Sequence, residues 1–353
     1  MTVPSLVTQE VVIAGIDAHQ DTHHVAVLTH TGALLGDQQF PASPPGYRAL
    51  LDWVAAFGLI DRIGVESTGS YAAGLTRFLT AEGIDVREVN MPHAHTKARR
   101  GKSDAIDDEA AARKTLAGDA TAVPKTTTGL IKSIRHLTLA RHSAVKARSS
   151  ALVQLQALLI TAPDPVRERI TASSGAGKAV QCLRLRADVG RLGEPLHAAK
   201  LALRMLAVRI RGFDEEIATL DAHLAHMVAD AAPTLLTRVG ISTGHAAQLL
   251  ITAGENIDRL HSEAAFARLC GVAPIPVSSG KSHRMRLHRG GDRQANRALH
   301  MIAVCRLRYD PRTRAYMQRR QTDGLSKKDI LRCLKRYIAR EVYNDLKTDL
   351  GVP

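Results

Sequence analysis

The chain has 353 residues, 45% of them hydrophobic, and a formal charge of +14, which is length enough for two or three domains with their own cores. No run approaches the roughly 18–20 apolar residues of a membrane span, and no basic stretch followed by an apolar core opens the sequence; a soluble, cytoplasmic protein without a membrane partner is expected. Cys182, Cys270, Cys305 and Cys333 form no C-x-x-C pair, so neither a disulfide framework nor a zinc knuckle organises the fold.

Residues 11–125 alternate strand-like and helix-like segments. The apolar run Val11-Val-Ile-Ala-Gly-Ile-Asp-Ala-His19 reads as a buried strand delivering one carboxylate, Asp17, at its end. His19, Asp21, His23 and His24 are too polar to extend that burial. Residues 25–28 and the turn Thr31-Gly32 read as a second strand and hairpin. Helical spacing follows over residues 47–57, then a strand, Arg62-Ile-Gly-Val-Glu66, again ending in an acid. A helix over 71–82 stops at Gly83, and residues 84–89 form another strand. This is an α/β layer pattern, in which strand ends gather at one edge.

Residues 102–113, rich in alanine, predict a helix on which Asp104 and Asp107 share one face; Asp108, also at a permitted spacing from Asp104, is the alternative to Asp107. Acids in a first helical turn complement the macrodipole, which is the plain reading. The functional reading joins them to Asp17 and Glu66 as oxygen ligands for Mg²⁺, or Mn²⁺ in its place, a hard cation suited to phosphoryl transfer.

Strand signals vanish over residues 126–232. Leu206, Ile210, Phe213, Ile217, Leu220, Leu224 and Met227 alternate four-three spacings, a heptad seam. An earlier helix spans about 129–161, and its Lys132, Arg135, Arg141, Lys146 and Arg148 face either nucleic acid or solvent. Between them, residues 162–196 hold three prolines and Ser173-Ser-Gly-Ala-Gly177, signals of a break and a loop. The two helices fit an antiparallel coiled coil or dimerisation arm as well as they fit an intramolecular bundle.

From Pro233 short helices and tight turns are expected. Residues 235–250 resemble a helix-hairpin-helix element, whose glycine turn offers backbone N–H groups to phosphates. Residues 281–340 hold 18 Lys and Arg against 4 Asp and Glu. One basic segment on a neutral body is the footprint of a nucleic-acid surface, with Lys281, Arg284, Arg286, Arg289, Arg293 and Arg297 around the small-residue run Ser278-Ser-Gly280. Either that run is a flexible linker, or Ser279 or Ser278 is a nucleophile among guanidinium groups.

Six pieces in order carry a family resemblance: Gly15-Ile-Asp-Ala-His19, Val65-Glu-Ser-Thr-Gly-Ser-Tyr71, Lys102-Ser-Asp-Ala-Ile-Asp-Asp108, Gly271-Val-Ala-Pro274, Ser278-Ser-Gly280 and Arg289-Gly-Gly-Asp-Arg-Gln-Ala-Asn296. The chain resembles the DEDD transposases of the insertion-sequence one-ten family. The resemblance implies a RuvC-like, RNase H-type mixed sheet with flanking helices over residues 1–125. A helical coiled-coil or oligomerisation segment over 126–232 and a mainly α-helical transposase domain over 233–353 follow. It further implies that Asp17, Glu66, Asp104 and Asp107 bind divalent metal and that Ser279 is the nucleophile of a serine–DNA intermediate. Donor and target DNA, a structured bridge RNA as guide, a homo-oligomer (dimer or tetramer) and association with the nucleoid come with it. A metal-dependent, structure-specific nuclease without a covalent intermediate is the competing activity.

Overall fold

The computed structural model describes residues 10–89, 104–126, 128–280, 282–288 and 290–351, with the side chains of 104–106, 282–284 and 287 outside that description. It divides into two compact units, Met1–Thr126 and Thr127–Pro353.

In the first unit β1 (Val11–Ala18), β2 (Thr22–Thr29) and β3 (Leu34–Pro41) form an antiparallel meander. Helix α1 (Pro44–Ala55) leads to β4 (Leu59–Val65), and α2 (Ala73–Ala81) to β5 (Val86–Glu88). The five strands lie in the order β3-β2-β1-β4-β5, with β4 parallel to β1 and β5 parallel to β4. Alternation along the strands assigns the faces. Val12, Ala14, Ile16, Ile63 and Val65 join Leu50, Val54, Leu75 and Leu79 of α1 and α2 in one core. The opposite face is covered by α3 (Asp104–Leu116). There Gly15 and Gly64 are required by proximity: a Cβ on Gly15 would lie 2.0 Å from the backbone nitrogen of Ala112, and one on Gly64 1.9 Å from Thr115 Oγ1.

Two readings of this unit change. The return strand β3 carries no alternating pattern, because it is an edge strand of largely exposed residues in which Asp37, Gln38 and Gln39 follow one another without an apolar position between them. His23, expected to be too polar for burial, is fully buried in β2, its ring stacked on Tyr47 with centroids 5.6 Å apart. An imidazole can enter a core when it remains neutral, and burial lowers the His23 pKa.

The second unit begins with α4 (Leu130–Thr161), followed by α5 (Asp164–Arg167), α6 (Gly175–Cys182) and α7 (Pro195–Ala231). Arg148 bonds Asp214 at 2.5 Å, and Arg141 bonds Asp221, a register in which one sequence number rises as the other falls. The two long helices are therefore an antiparallel pair within one chain. They are joined by apolar clusters at their ends. At the far end Leu155, Leu159, Leu203 and Ile210 pack with Cys182 of α6, a helix inside the stretch expected to be loop. At the near end Ile131, Ile134, Leu224 and Val228 enter the core of the remaining helices. Phe213, Ile217 and Leu220 between them are only half-buried, since α4 presents Ala144 between Arg141 and Arg148 rather than a matching seam.

The rest comprises α8 (Pro233–Leu236), α9 (Thr243–Ala253), α10 (Glu263–Leu269), the hairpin β6 (Pro274–Ser279) and β7 (Ser282–Leu287), α11 (Arg293–Tyr309), α12 (Pro311–Thr322) and α13 (Lys327–Asp349). Residues 127–353 form one compact unit because the near ends of α4 and α7 share its core. No helix among the described residues is long and apolar enough to cross a membrane.

His23 has a testable consequence. Its folded pKa lies below the unfolded value of 6.5, so on acidification the unfolded chain takes up this proton first. The associated stability is complete above that value and is lost as pH falls below it. Between about pH 7.5 and pH 5.5 the wild-type melting temperature is expected to drop more than that of His23→Phe; equal drops contradict the assignment.

Candidate active site

Strand register builds a row of polar side chains on the face covered by α3. Ile16 pairs with Val65, so Asp17 and Glu66, one residue further on, occupy the same level of parallel strands about 4.8 Å apart and share a face. The Glu66 amide donates to Ile16 O at 3.0 Å, continuing the ladder. Across the antiparallel pair Asp17 faces His24. His19 Nε2 approaches Asp17 Oδ2 at 3.8 Å. Glu66 is buried, and the chain leaves it through Ser67, a non-glycine residue with φ of 55°. Such a conformation costs about 1–3 kcal/mol and here turns the chain so that Ser70 N and Ala72 N donate to Ser67 O.

Helix α3 adds the remaining acids. Asp104 is its first residue, with its side chain outside the description, and Asp107 is half-buried. Asp108 is fully buried: its Oδ2 lies 2.5 Å from His24 Nδ1, and its Oδ1 accepts from the Glu109 amide at 2.7 Å. Burial pushes the Asp108 carboxyl above its ordinary value, while the bond to His24 opposes the rise. The adjacent aspartates therefore occupy different environments. Asp108 ties α3 to β2, a role that sequence spacing alone did not reveal. Among the described residues no three His, Cys, Asp or Glu side chains already form a metal-holding group. The donor set is nevertheless chemically suited to a hard cation, since Asp17, Glu66 and Asp107 offer carboxylate oxygens from the strand ends and the helix on that face.

In the second unit Ser279 is the last residue of β6, paired with Ser282 across the turn that contains Gly280. Of the two readings of this run, the flexible linker gives way to a hairpin, with both Ser278 and Ser279 exposed. Gly280 has φ of +54°, which glycine adopts without steric cost. Below the hairpin, Gly271 and Gly291, with φ of +65° and +92°, let two loops approach so closely that a Cβ on Gly291 would lie 2.6 Å from Leu269 O. The Asn296 amide fastens the same loops by donating to Cys270 O and Gly271 O at 3.1 and 2.9 Å. Asp292 caps α11 through bonds to Gln294 N and Ala295 N.

Two family profiles match this arrangement: a DEDD transposase family of IS110 over residues 14–162, and the transposase family IS116/IS110/IS902 over residues 232–318. The chain belongs to the IS110 family of transposases. It is 27% identical to an insertion element IS110 protein of 43.6 kDa from Streptomyces coelicolor, over 89% of this chain and 88% of that protein. It is 30% identical to an insertion element IS900 protein of 42 kDa from Mycobacterium paratuberculosis, over 37% of this chain and 33% of that one.

The basic segment of this transposase separates into structural and exposed cations. Arg306 pairs with Glu341, and Arg336 and Arg340 with Glu263, fixing helices to one another. Asp292 and Asp310 serve as helix caps, while Asp323 and Asp329 pair with Arg320 and Arg332. Arg286, Arg293 and Arg297 are exposed. Lys281 and Arg289 lie outside the described residues, as does the side chain of Arg284. Arg297 and the α4 cations lie far apart in sequence. Arg297 lines one cavity of about 800 Å³ with Arg141, His142 and Lys146. Ser242, Thr243 and His245 at the start of α9 line it too, and there Ser242 and His245 form a capping box.

The close approach of α3 to the sheet is open to test. Gly15→Ala is expected to cost about 3 kcal/mol, the upper end for overpacking, and to abolish transposition by displacing the acids. An unchanged denaturation midpoint would show that α3 does not depend on Gly15.

Proposed function

We propose that this transposase cuts and rejoins the DNA of its insertion element with Asp17, Glu66, Asp104 and Asp107 as metal-binding carboxylates and Ser279 as nucleophile. The observation that carries this reading is the register that sets Asp17 beside Glu66 on the face covered by α3. The strand order, an antiparallel meander extended by two parallel strands, supports an RNase H-like assignment for the first unit. Mg²⁺ or Mn²⁺, when held by these oxygens, would stabilise negative charge on the reacting phosphodiester. Asp17 and Glu66 contribute through rigidity: each ends a buried strand and is preset for a cation rather than gathered from a loop. Asp107 is favoured over Asp108 as the fourth acid, because the Asp108 carboxylate is occupied by His24.

Ser279 Oγ attacks phosphorus, a serine–DNA phosphodiester forms as the bond to the departing deoxyribose oxygen breaks, and the proton lost by the serine is balanced by one taken up on that oxygen, which leaves as a hydroxyl. Attack by a strand hydroxyl on that diester restores DNA and returns the serine. Guanidinium groups beside the hairpin, Arg286 among them, offset charge on the pentacovalent phosphorus. Donor and target DNA bind the basic segment, and a structured guide RNA is the partner implied by the resemblance. The half-buried Phe213, Ile217 and Leu220 support association of chains through the long helices into a homo-oligomer working at the nucleoid.

A denaturing gel with end-labelled element DNA tests the chemistry. Wild type and Ser278→Ala are expected to form a covalent protein–DNA adduct, and Ser279→Ala and Asp17→Asn none. Cleavage by wild type without any adduct would instead support the metal-dependent nuclease, in which water attacks. The two aspartates are separable as well. Asp107→Asn is expected to abolish recombination with little change in melting temperature, whereas Asp108→Ala is expected to lose about 1–3 kcal/mol by leaving His24 without its hydrogen-bond partner; the reverse pattern would reassign the fourth acid.

A further inference from the structure

A second cavity, of about 560 Å³, lies between the turn entering α11 and the side of α13. It is lined by His288, Arg293, Arg297, His300 and Lys335, with Asp292 as the only carboxylate on its wall among the described residues. That carboxylate is already in use. Its Oδ1 accepts from Gln294 N and Ala295 N, and its Oδ2 accepts from Thr252 Oγ1 at 2.7 Å and from Gln248 Nε2 at 3.5 Å. Lys335 is half-buried, and its ammonium donates at 2.9 Å to a neutral acceptor, Asn296 Oδ1. Asn296 is itself immobilised by its bonds to Cys270 O and Gly271 O, so the lysine is oriented rather than neutralised. Burial, and then Arg332, lower the Lys335 pKa, so the cation is kept there at a cost that an arriving anion removes. His288 lines the same wall and, with two ring nitrogens, can donate to or accept from a ligand.

We infer that this cavity is a binding site for a backbone phosphate and its adjoining sugar in a nucleic-acid strand, with Lys335 as its anchor and Arg293 and His288 as further contacts. The site rests on the reading of the chain as a nucleic-acid-processing transposase and adds a defined phosphate seat to it. A cavity several times the size of one phosphate, cationic on most sides and without an available carboxylate, suits a phosphodiester better than a metal ion or an apolar ligand. Asn296 couples this seat to the loops beneath the serine hairpin, so a strand held here lies in fixed register with the hairpin of the same unit.

The test is the salt dependence of binding by the full chain, measured by fluorescence anisotropy on duplex DNA and on single-stranded RNA. For both Lys335→Gln and Arg293→Gln, the slope of log K against log salt is expected to fall by about 0.9 on DNA, or about 0.7 on a single strand. A decrement on one polymer only names the source of the phosphate. Arg293 is exposed, so its variant decides the matter if Lys335→Gln fails to fold. Wild-type slopes and affinities in the folded variants on both polymers would overturn the site, even with the serine–DNA adduct still formed. Lowered slopes without any adduct from wild type would leave the site standing and remove the serine chemistry. A wild-type chain that binds neither polymer overturns both.

Discussion

The first unit depends on one close approach, that of α3 to the sheet over Gly15 and Gly64. Two strand positions without side chains allow the helix to come into direct contact with the sheet, its backbone over Gly15 of β1 and its Thr115 side chain over Gly64 of β4. That contact leaves the strand ends beyond the glycines, Asp17 and Glu66, beside the start of the helix that carries Asp104, Asp107 and Asp108. The Asp108–His24 bond then ties the helix to β2. The glycine of the Gly15-Ile-Asp run is thus a packing requirement two residues from a candidate ligand, which is why the two appear together.

The second unit uses the same device for another purpose. Gly271 and Gly291 bring two loops into contact, Asn296 bonds across them, and Asp292 caps α11 while accepting from Thr252 of α9. Most of the Gly-Gly-Asp-Arg-Gln-Ala-Asn run is therefore mechanical. It ties the base of the serine hairpin to the helical core. An isolated two-stranded hairpin is marginal in water, and the serines at its tip would be poorly held without that base. Arg293, which is exposed, is the part of the motif left over for a polyanion.

Several features were legible because each is a local property of the chain. β1 and β4 followed from short apolar runs ending in an acid, α4 from helical spacing, and the basic surface from charge counted by segment. Other features failed for physical reasons that can be named. Edge strand β3 has solvent along its outer side and holds Asp37, Gln38 and Gln39 in succession, so it lacks the alternation that marks a half-buried strand. Helix α6 lay hidden among glycines and serines that serve as its cap, with Ser174 accepting from Gly177 N. The heptad in α7 was real, but its partner helix offers an alanine between two arginines that pair with aspartates, and a seam on one helix does not specify what faces it.

Apart from β3, and from the choice of Asp107 and Ser279 over their neighbours, which the resemblance supplied, composition and periodicity by themselves determined the order of elements in the first unit, the two long helices, the acids and serines worth singling out, and the sign of the partner's charge. These depend on residue type and on neighbours a few positions away. Only tertiary structure decided which acids share a face, which of two adjacent aspartates is buried against His24, that His23 belongs to the core, and that Lys335 is oriented by an amide within a cationic cavity. Each of these is fixed by strand register or helix packing between residues tens of positions apart, and no pattern along a single segment carries that information.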